Sequence, residues 1–322
     1  MKTLLILIIA LAVFACDKED EDFNFQSVSV STIKVDTDKA FTDISFGSGQ
    51  VGYACGEMGI LFKTGDGGAT WSSLKSGITP SLHCIDAFSD NQIFTARNEL
   101  YRSGDGGANW TTAGLDDQGS GIFDIRFLSS QTGFIAKNGI MKTTDGGTTW
   151  TLVFDSSKDE NYYAIVYNAI EFVNNNIGFC AGGKTHDGGS VGTIVKTKDG
   201  GNNWENLNMD MSQITAFHFM DENNGFVFNF DKEMWKTTDG GKNWTLVSSD
   251  IPDRYVNCYF IDSNKIVLKT PESIYHSLDG GKNWIKDYAV PEGGYLTAME
   301  FINSKLGFAC GHNGLIAKIE IK

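Results

Sequence analysis

Arginine, proline and histidine are scarce in this sequence, with four, four and five copies among 322 residues. Acidic residues outnumber Lys plus Arg by 40 to 26, and at a net charge of −14 the mean field repels a phosphate backbone. No nucleic-acid partner is therefore expected. There is no Cys-x-x-Cys pair and no His-rich spacing, so metal chemistry has no support and no cofactor is called for. The longest apolar run, Leu4 to Phe14, is too short to cross a bilayer as a stable helix.

Glycine, in contrast, numbers 37, and aromatic residues make up 12% of the chain. Many glycines and aromatics with few prolines suit short strands joined by tight turns, an all-β composition. Six copies of one box stand out: Thr64 to Trp71, Ser103 to Trp110, Thr143 to Trp150, Thr197 to Trp204, Thr237 to Trp244 and Ser277 to Trp284. Successive box tryptophans are 39, 40, 54, 40 and 40 residues apart, the period of a four-stranded propeller blade. The interval of 54 marks an insertion in the fourth unit.

Each box is preceded by an alternating strand such as Asp43-Ile44-Ser45-Phe46, then Gly52-Tyr53-Ala54-Cys55-Gly56, then Ile60-Leu61-Phe62-Lys63. These are read as strands A, B and C, with the box on the C-to-D turn. Within a box the aspartate (Asp66, Asp105, Asp145, Asp199, Asp239, Asp279) accepts N–H bonds of its own turn and the glycines supply positive φ. The tryptophan (Trp71, Trp110, Trp150, Trp204, Trp244, Trp284) packs the hairpin onto the sheet. Such a box staples the fold and carries no catalysis. After the last one a seventh unit, Thr297 to Lys318, has three strands and no box, while Val28 to Val35 is a lone β-pattern without a blade. Joining the two closes a ring of seven four-stranded antiparallel blades over residues 28–322 and removes exposed sheet edges.

The N-terminus carries an address. Lys2 and the apolar run through Phe14 have the form of an export signal, so residues 1–15 are read as a signal peptide. Val13-Phe14-Ala15-Cys16 resembles a bacterial lipobox, which makes Cys16 the lipidated first residue of the mature chain. The acidic tract Asp17 to Asp22 follows, and residues 16–27 are read as a solvated tether. The tract resembles the surface-export signal of some gram-negative lipoproteins. A bacterial outer-membrane lipoprotein held at the membrane by its lipid is the expected setting, surface-exposed or, alternatively, facing the periplasm.

The boxes resemble the Asp-box, or bacterial neuraminidase repeat. With Gly-aromatic-Ala-x-Gly and Ile-x-x-Lys-Thr upstream, the chain resembles the photosystem II assembly and stability factor family over nearly all of residues 28–322. That resemblance implies a non-enzymatic propeller scaffold that binds protein during assembly of a membrane complex. The lipobox and acidic tract argue against a photosynthetic setting here. Sialidases, xyloglucan-cleaving endoglucanases and sortilin-type receptors share the box, so glycan binding or glycoside hydrolysis is the alternative.

Specific chemistries fare unevenly. A sialidase clamps its substrate carboxylate with three arginines, and only Arg97, Arg102, Arg126 and Arg254 are present. An endoglucanase needs two carboxylates across a cleft, which an acidic chain can supply. Gly178-Phe179-Cys180-Ala181-Gly182-Gly183-Lys184-Thr185 fits the P-loop pattern, but the following His186-Asp187-Gly188-Gly189 cannot start the helix that pattern requires. Gly178 to Gly182 is read as strand B of blade four, in register with Gly52 and Gly307, and no nucleotide is expected. Cys55, Cys180 and Cys310 share one repeat position and, like Cys84 and Cys258, are read as buried apolar residues.

Two groups of residues are candidates for function. Ser45, Asp86, Arg126, Glu171, His218, Tyr259 and Glu300 occupy one strand-A position around the ring. They either pair with basic residues ending strand C (Lys63, Arg102, Lys142, Lys196, Lys236) or form a charged channel wall. The second group sits on the upper face, opposite the boxes, where the blade-four insertion is expected as two loops, Asp155 to Tyr167 and Lys184 to Gly192. There Tyr162, Tyr163, Tyr167, Lys184, His186 and Asp187, with Arg254, Tyr255 and Tyr295, form the candidate ligand face.

Overall fold

A computed structural model describes residues 25–115, 121–156, 164–187, 189–207 and 209–322. The strands form seven four-stranded antiparallel sheets. Strands A, which line the centre, are Phe41–Phe46, Cys84–Ala87, Asp124–Phe127, Ala164–Phe172, Ile214–Phe219, Asn257–Phe260 and Leu296–Asn303 for blades 1 to 7. Helical structure among the described residues is confined to short 3-10 stretches such as Glu57–Gly59 and His312–Gly314. The seven-bladed propeller read from the sequence is the fold.

The ring closes as the orphan strand predicts. Val28–Lys34 pairs with Leu315–Ile321 over seven residues, from Val28 opposite Ile321 to Lys34 opposite Leu315, and becomes the outer strand of blade 7. Packing begins slightly earlier than expected. Phe25 is buried, and Gln26 N–H donates to the Lys322 carbonyl at 2.6 Å, so the propeller takes in residues 25–27, which were read as tether.

Blades are joined by aromatic side chains that recur at fixed repeat positions. A strand-B phenylalanine of one blade stacks on the strand-A phenylalanine of the next: Phe94 on Phe127 at 3.9 Å, Phe134 on Phe172 at 4.6 Å, Phe226 on Phe260 at 4.6 Å and Phe308 on Phe46 at 5.1 Å. The box indole of the second blade then meets the strand-A ring edge-on, as Trp150 does Phe127 and Trp71 does Phe46. Each buried ring contributes about 1.5–3 kcal/mol by burial and about 0.5–1.5 more where rings pair. The core is thus seven inter-blade layers rather than one centre.

The boxes behave as read. Thr143 Oγ1 donates to Asp145 at 2.8 Å and accepts Gly147 N–H at 3.0 Å, while Thr149 donates its N–H and hydroxyl to the same carboxylate. The box glycine N–H then bonds the A-to-B turn of its own blade, as from Gly146 to Gln131 O at 2.9 Å. That bond places boxes and A-to-B turns together on the lower face.

The strand-C basic residues were expected to meet the strand-A ring position, and they do not. Lys63 and Lys142 donate instead to box-glycine carbonyls of the next blade, Gly106 O at 3.0 Å and Gly200 O at 2.7 Å, and Arg102 reaches Gly146 O at 3.3 Å. The reason is register: strand C lies two strands outward from strand A, so its lower end looks sideways onto the neighbouring turn.

Candidate functional site: the channel and the upper face

The strand-A polar residues surround a central channel whose upper part encloses about 340 Å³. Most of their carboxylates are used between blades. Asp43 accepts Ile85 N–H at 2.8 Å, Asp86 accepts Phe127 N–H at 2.9 Å, Asp124 accepts Ile170 N–H at 2.9 Å, Glu171 accepts Phe219 N–H at 3.1 Å, and Glu300 accepts Phe46 N–H at 2.9 Å. Ser45 Oγ accepts Ala87 N–H in the same way. At the two remaining junctions stacking takes over, with His218 on Phe260 at 5.1 Å and Tyr259 on Phe301 at 4.0 Å. These strand-A residues are spent in lacing neighbouring blades together, and the reading of them as a functional charged wall falls.

Enclosure dominates the electrostatics of this ring. Burial pushes the Asp43 carboxyl up to about 7 against its two backbone hydrogen bonds, and Glu300 up to about 8 against the pull of Arg126. Asp86 rises to about 6, burial again outweighing the Arg126 guanidinium at 3.8 Å. Burial alone would lower His218, but Glu171 at 2.6 Å overrides it and raises the imidazole. A glycosidase would need two carboxylates free to face a sugar. The channel carboxylates named here each hold a neighbouring blade.

The upper face offers a different surface. Phe230, in the B-to-C loop of blade 5, and Tyr255, in the loop entering blade 6, meet edge-on at 5.9 Å, and the Arg254 guanidinium lies 4.4 Å over the Phe230 ring. Beside them Tyr295, leading into blade 7, packs on His312 of the same blade's B-to-C turn at 5.0 Å. The Tyr295 hydroxyl is raised by burial and then by the charges of Asp253 and Tyr255. Phe230, Tyr255 and Tyr295 are 36%, 54% and 38% exposed, unusually open for large rings. Lys269 holds the floor: its ammonium donates to Thr297 O at 2.7 Å, and burial pushes it down to about 8.

Of the nine residues expected on the ligand face, Arg254, Tyr255 and Tyr295 come together. The described part of the blade-four insertion is strand rather than loop. It is a three-stranded extension of the sheet in which Gly178–His186 pairs with Ala164–Phe172 on one side and with Gly189–Thr197 on the other. Lys184 pairs with Val191 and Thr185 with Ser190, so this stretch is regular strand and His186 and Asp187 stand at the tip. No helix follows Thr185, as the rejection of the P-loop requires. Tyr167, 1% exposed, packs against Phe154 in the interior between blades 3 and 4, and its place on the ligand face is withdrawn. Lys184 is also buried and lines the same small cavity as Tyr167. Tyr162 and Tyr163 lie outside the described residues. Phe230 and His312 are the members that sequence reasoning missed.

The sequence profile of the photosynthesis system II assembly factor YCF48 family matches residues 23–122, 107–213 and 209–291. The chain belongs to that family. A search of curated proteins finds no match. Among solved structures, YCF48 bound to D1 peptide is 19% identical with a TM-score of 0.70, covering 90% of this chain and 94% of that one. YCF48 from Cyanidioschyzon merolae is 18% identical with a TM-score of 0.72, covering 91% and 99%. The GH74 xyloglucanase from Xanthomonas campestris is 14% identical with a TM-score of 0.62, and the match spans 89% of this chain but 53% of the enzyme. At these identities the structures speak to the fold. The profile ends at residue 291, before the last blade, and the two YCF48 structures match 90% and 91% of this chain, whereas the xyloglucanase match spans 53% of that enzyme.

Proposed function

We propose that this YCF48-family chain is a non-enzymatic assembly factor that holds a protein partner on its upper face while a lipid on Cys16 keeps it at a bacterial outer membrane. The observation that carries the reading is the exposed cluster of Phe230, Arg254, Tyr255, Tyr295 and His312. Aromatic rings pinned by a guanidinium form a rigid, partly apolar platform, the composition that dominates protein-binding hot spots. Two further points support it: family membership, and a YCF48 structure holding a D1 peptide. The lipobox and the acidic tract support the membrane setting.

The test is capture from the organism's own solubilised membranes. The triple variant F230A/Y255A/Y295A should lose the partner that the wild type retains, with an unchanged melting temperature because these rings lie outside the inter-blade layers. Retained capture by the triple variant would refute the site. A glycan array run alongside addresses the alternative: glycan binding without protein capture would replace the protein partner by a carbohydrate.

A further inference from the structure

We infer that the tether leaves the propeller on its Asp-box face, so that the anchored molecule turns its boxes toward the bilayer and its aromatic cluster outward. The inference rests on the lipid-anchor reading above for the membrane, and on the path of the first strand for the direction.

That path is fixed at both ends. The start of the closing strand sits with the lower-face turns: Ile321 N–H donates to Lys305 O, in the A-to-B turn of blade 7, and Gln26, Ser27 and Lys322 bond one another beside it. Its far end reaches the upper face, where Val35 N–H donates to Gly314 O and Gly314 N–H to Lys39 O, next to the His312-to-Tyr295 bond. Seven residues at about 3.3 Å each make the strand about 23 Å long, roughly the height of the ring. Buried Phe25, edge-on to His276 at 5.2 Å, clamps the exit point to the rim at that lower edge.

Eight residues lie between Cys16 and Phe25, and the nine steps from one to the other span at most about 32 Å when fully extended. With the lower face down, the exit point lies on the membrane side and most of that reach is to spare. With the upper face down, the chain must first climb about 23 Å of blade wall, which leaves little slack and removes most of its conformational freedom. The tether therefore selects the orientation, and it presents the cluster to partners away from the attached membrane surface.

Single cysteines report this directly, because Cys55, Cys84, Cys180 and Cys310 are buried and the unsubstituted chain measures any background labelling, including that at Cys258. Full-length lipidated protein on vesicles would carry a donor dye at Ala108→Cys or Lys242→Cys on the lower face, and at Asn98→Cys or Asp231→Cys on the upper face. All four positions are exposed, and the pairs lie on blades 2 and 5, so a tilt cannot mimic an inversion. With an acceptor lipid in the bilayer, transfer from both lower-face positions should be several-fold stronger than from their upper-face counterparts. Equal or reversed transfer in vesicle-bound protein overturns the orientation alone. If the wild type does not float with vesicles and C16S behaves identically, the anchoring reading falls and the orientation with it.

Discussion

Each Asp-box makes one turn rigid with three side chains, and the cost of removing them differs by environment. Hydrogen bonds from the Thr149 hydroxyl and N–H hold the solvent-exposed Asp145 carboxyl down at about 2, so it organises the turn as a permanent anion. Trp150 is 8% exposed and joins the turn to the core through Phe127. Trp150→Ala should therefore cost about 3–5 kcal/mol in chemical denaturation, whereas Asp145→Asn should lower the melting temperature only slightly. A loss below about 1 kcal/mol for the indole would contradict its place in the inter-blade layer. Glu300 makes a sharper comparison. Glu300→Ala leaves the Phe46 N–H without its acceptor inside the closing junction, a loss of about 1–3 kcal/mol, while Glu300→Gln keeps an acceptor oxygen and should cost less. Equal destabilisation by the two would mean that the charge, rather than the hydrogen bond, matters at that junction.

At the scale of the element, the closing strand is the most exposed dependency of the fold, since it alone supplies the fourth, outer strand of the last blade. A chain lacking residues 25–34 leaves Leu315–Ile321 as an open edge and should melt at a lower temperature, over a broader range, and aggregate on heating. An unchanged melt by calorimetry would show that the aromatic layers close the ring without it. This strand was legible in the sequence because a lone β-pattern and a three-stranded remainder are complementary at a glance, and the boxes were legible because their chemistry is local. The blade-four extension was not, because Gly182 to Thr185 and Gly189 to Gly192 are rich in glycine and polar residues, and only their mutual pairing makes them strand. Nor was the strand-C lysine bond to the next blade, since contacts between repeats leave no period in either partner. Phe230 and His312 were hidden as well: each is one residue in a short turn, set beside Tyr255 by the neighbouring blade in the first case and beside Tyr295 by strand pairing within blade 7 in the second.

The whole ring shares one electrostatic property that no single blade displays. Its enclosed carboxyls are raised, Asp43 to about 7, Asp86 to about 6 and Glu300 to about 8, from ordinary values of 3.8 and 4.5. A carboxyl raised in the folded state binds protons that the unfolded chain has released, so over that window stability falls as pH rises. His218 acts in the same sense: its raised imidazole stabilises below its unfolded value of 6.5, and that contribution is lost as pH climbs through the folded value. The box aspartates act oppositely, because values near 2 stabilise above the ordinary carboxylate range and fail only in strong acid. Stability should therefore peak near pH 4 and decline toward about pH 8, the reverse of what simple carboxylate salt bridges would give. Differential scanning calorimetry at constant ionic strength should show the melting temperature falling from pH 5.5 to pH 8. Asp43→Asn and Glu300→Gln, which cannot ionise, should flatten that slope. A melting temperature that rises over the interval, or a slope unchanged in both variants, would mean that the channel carboxyls are ionised throughout, with Arg126 and the backbone N–H groups outweighing their burial.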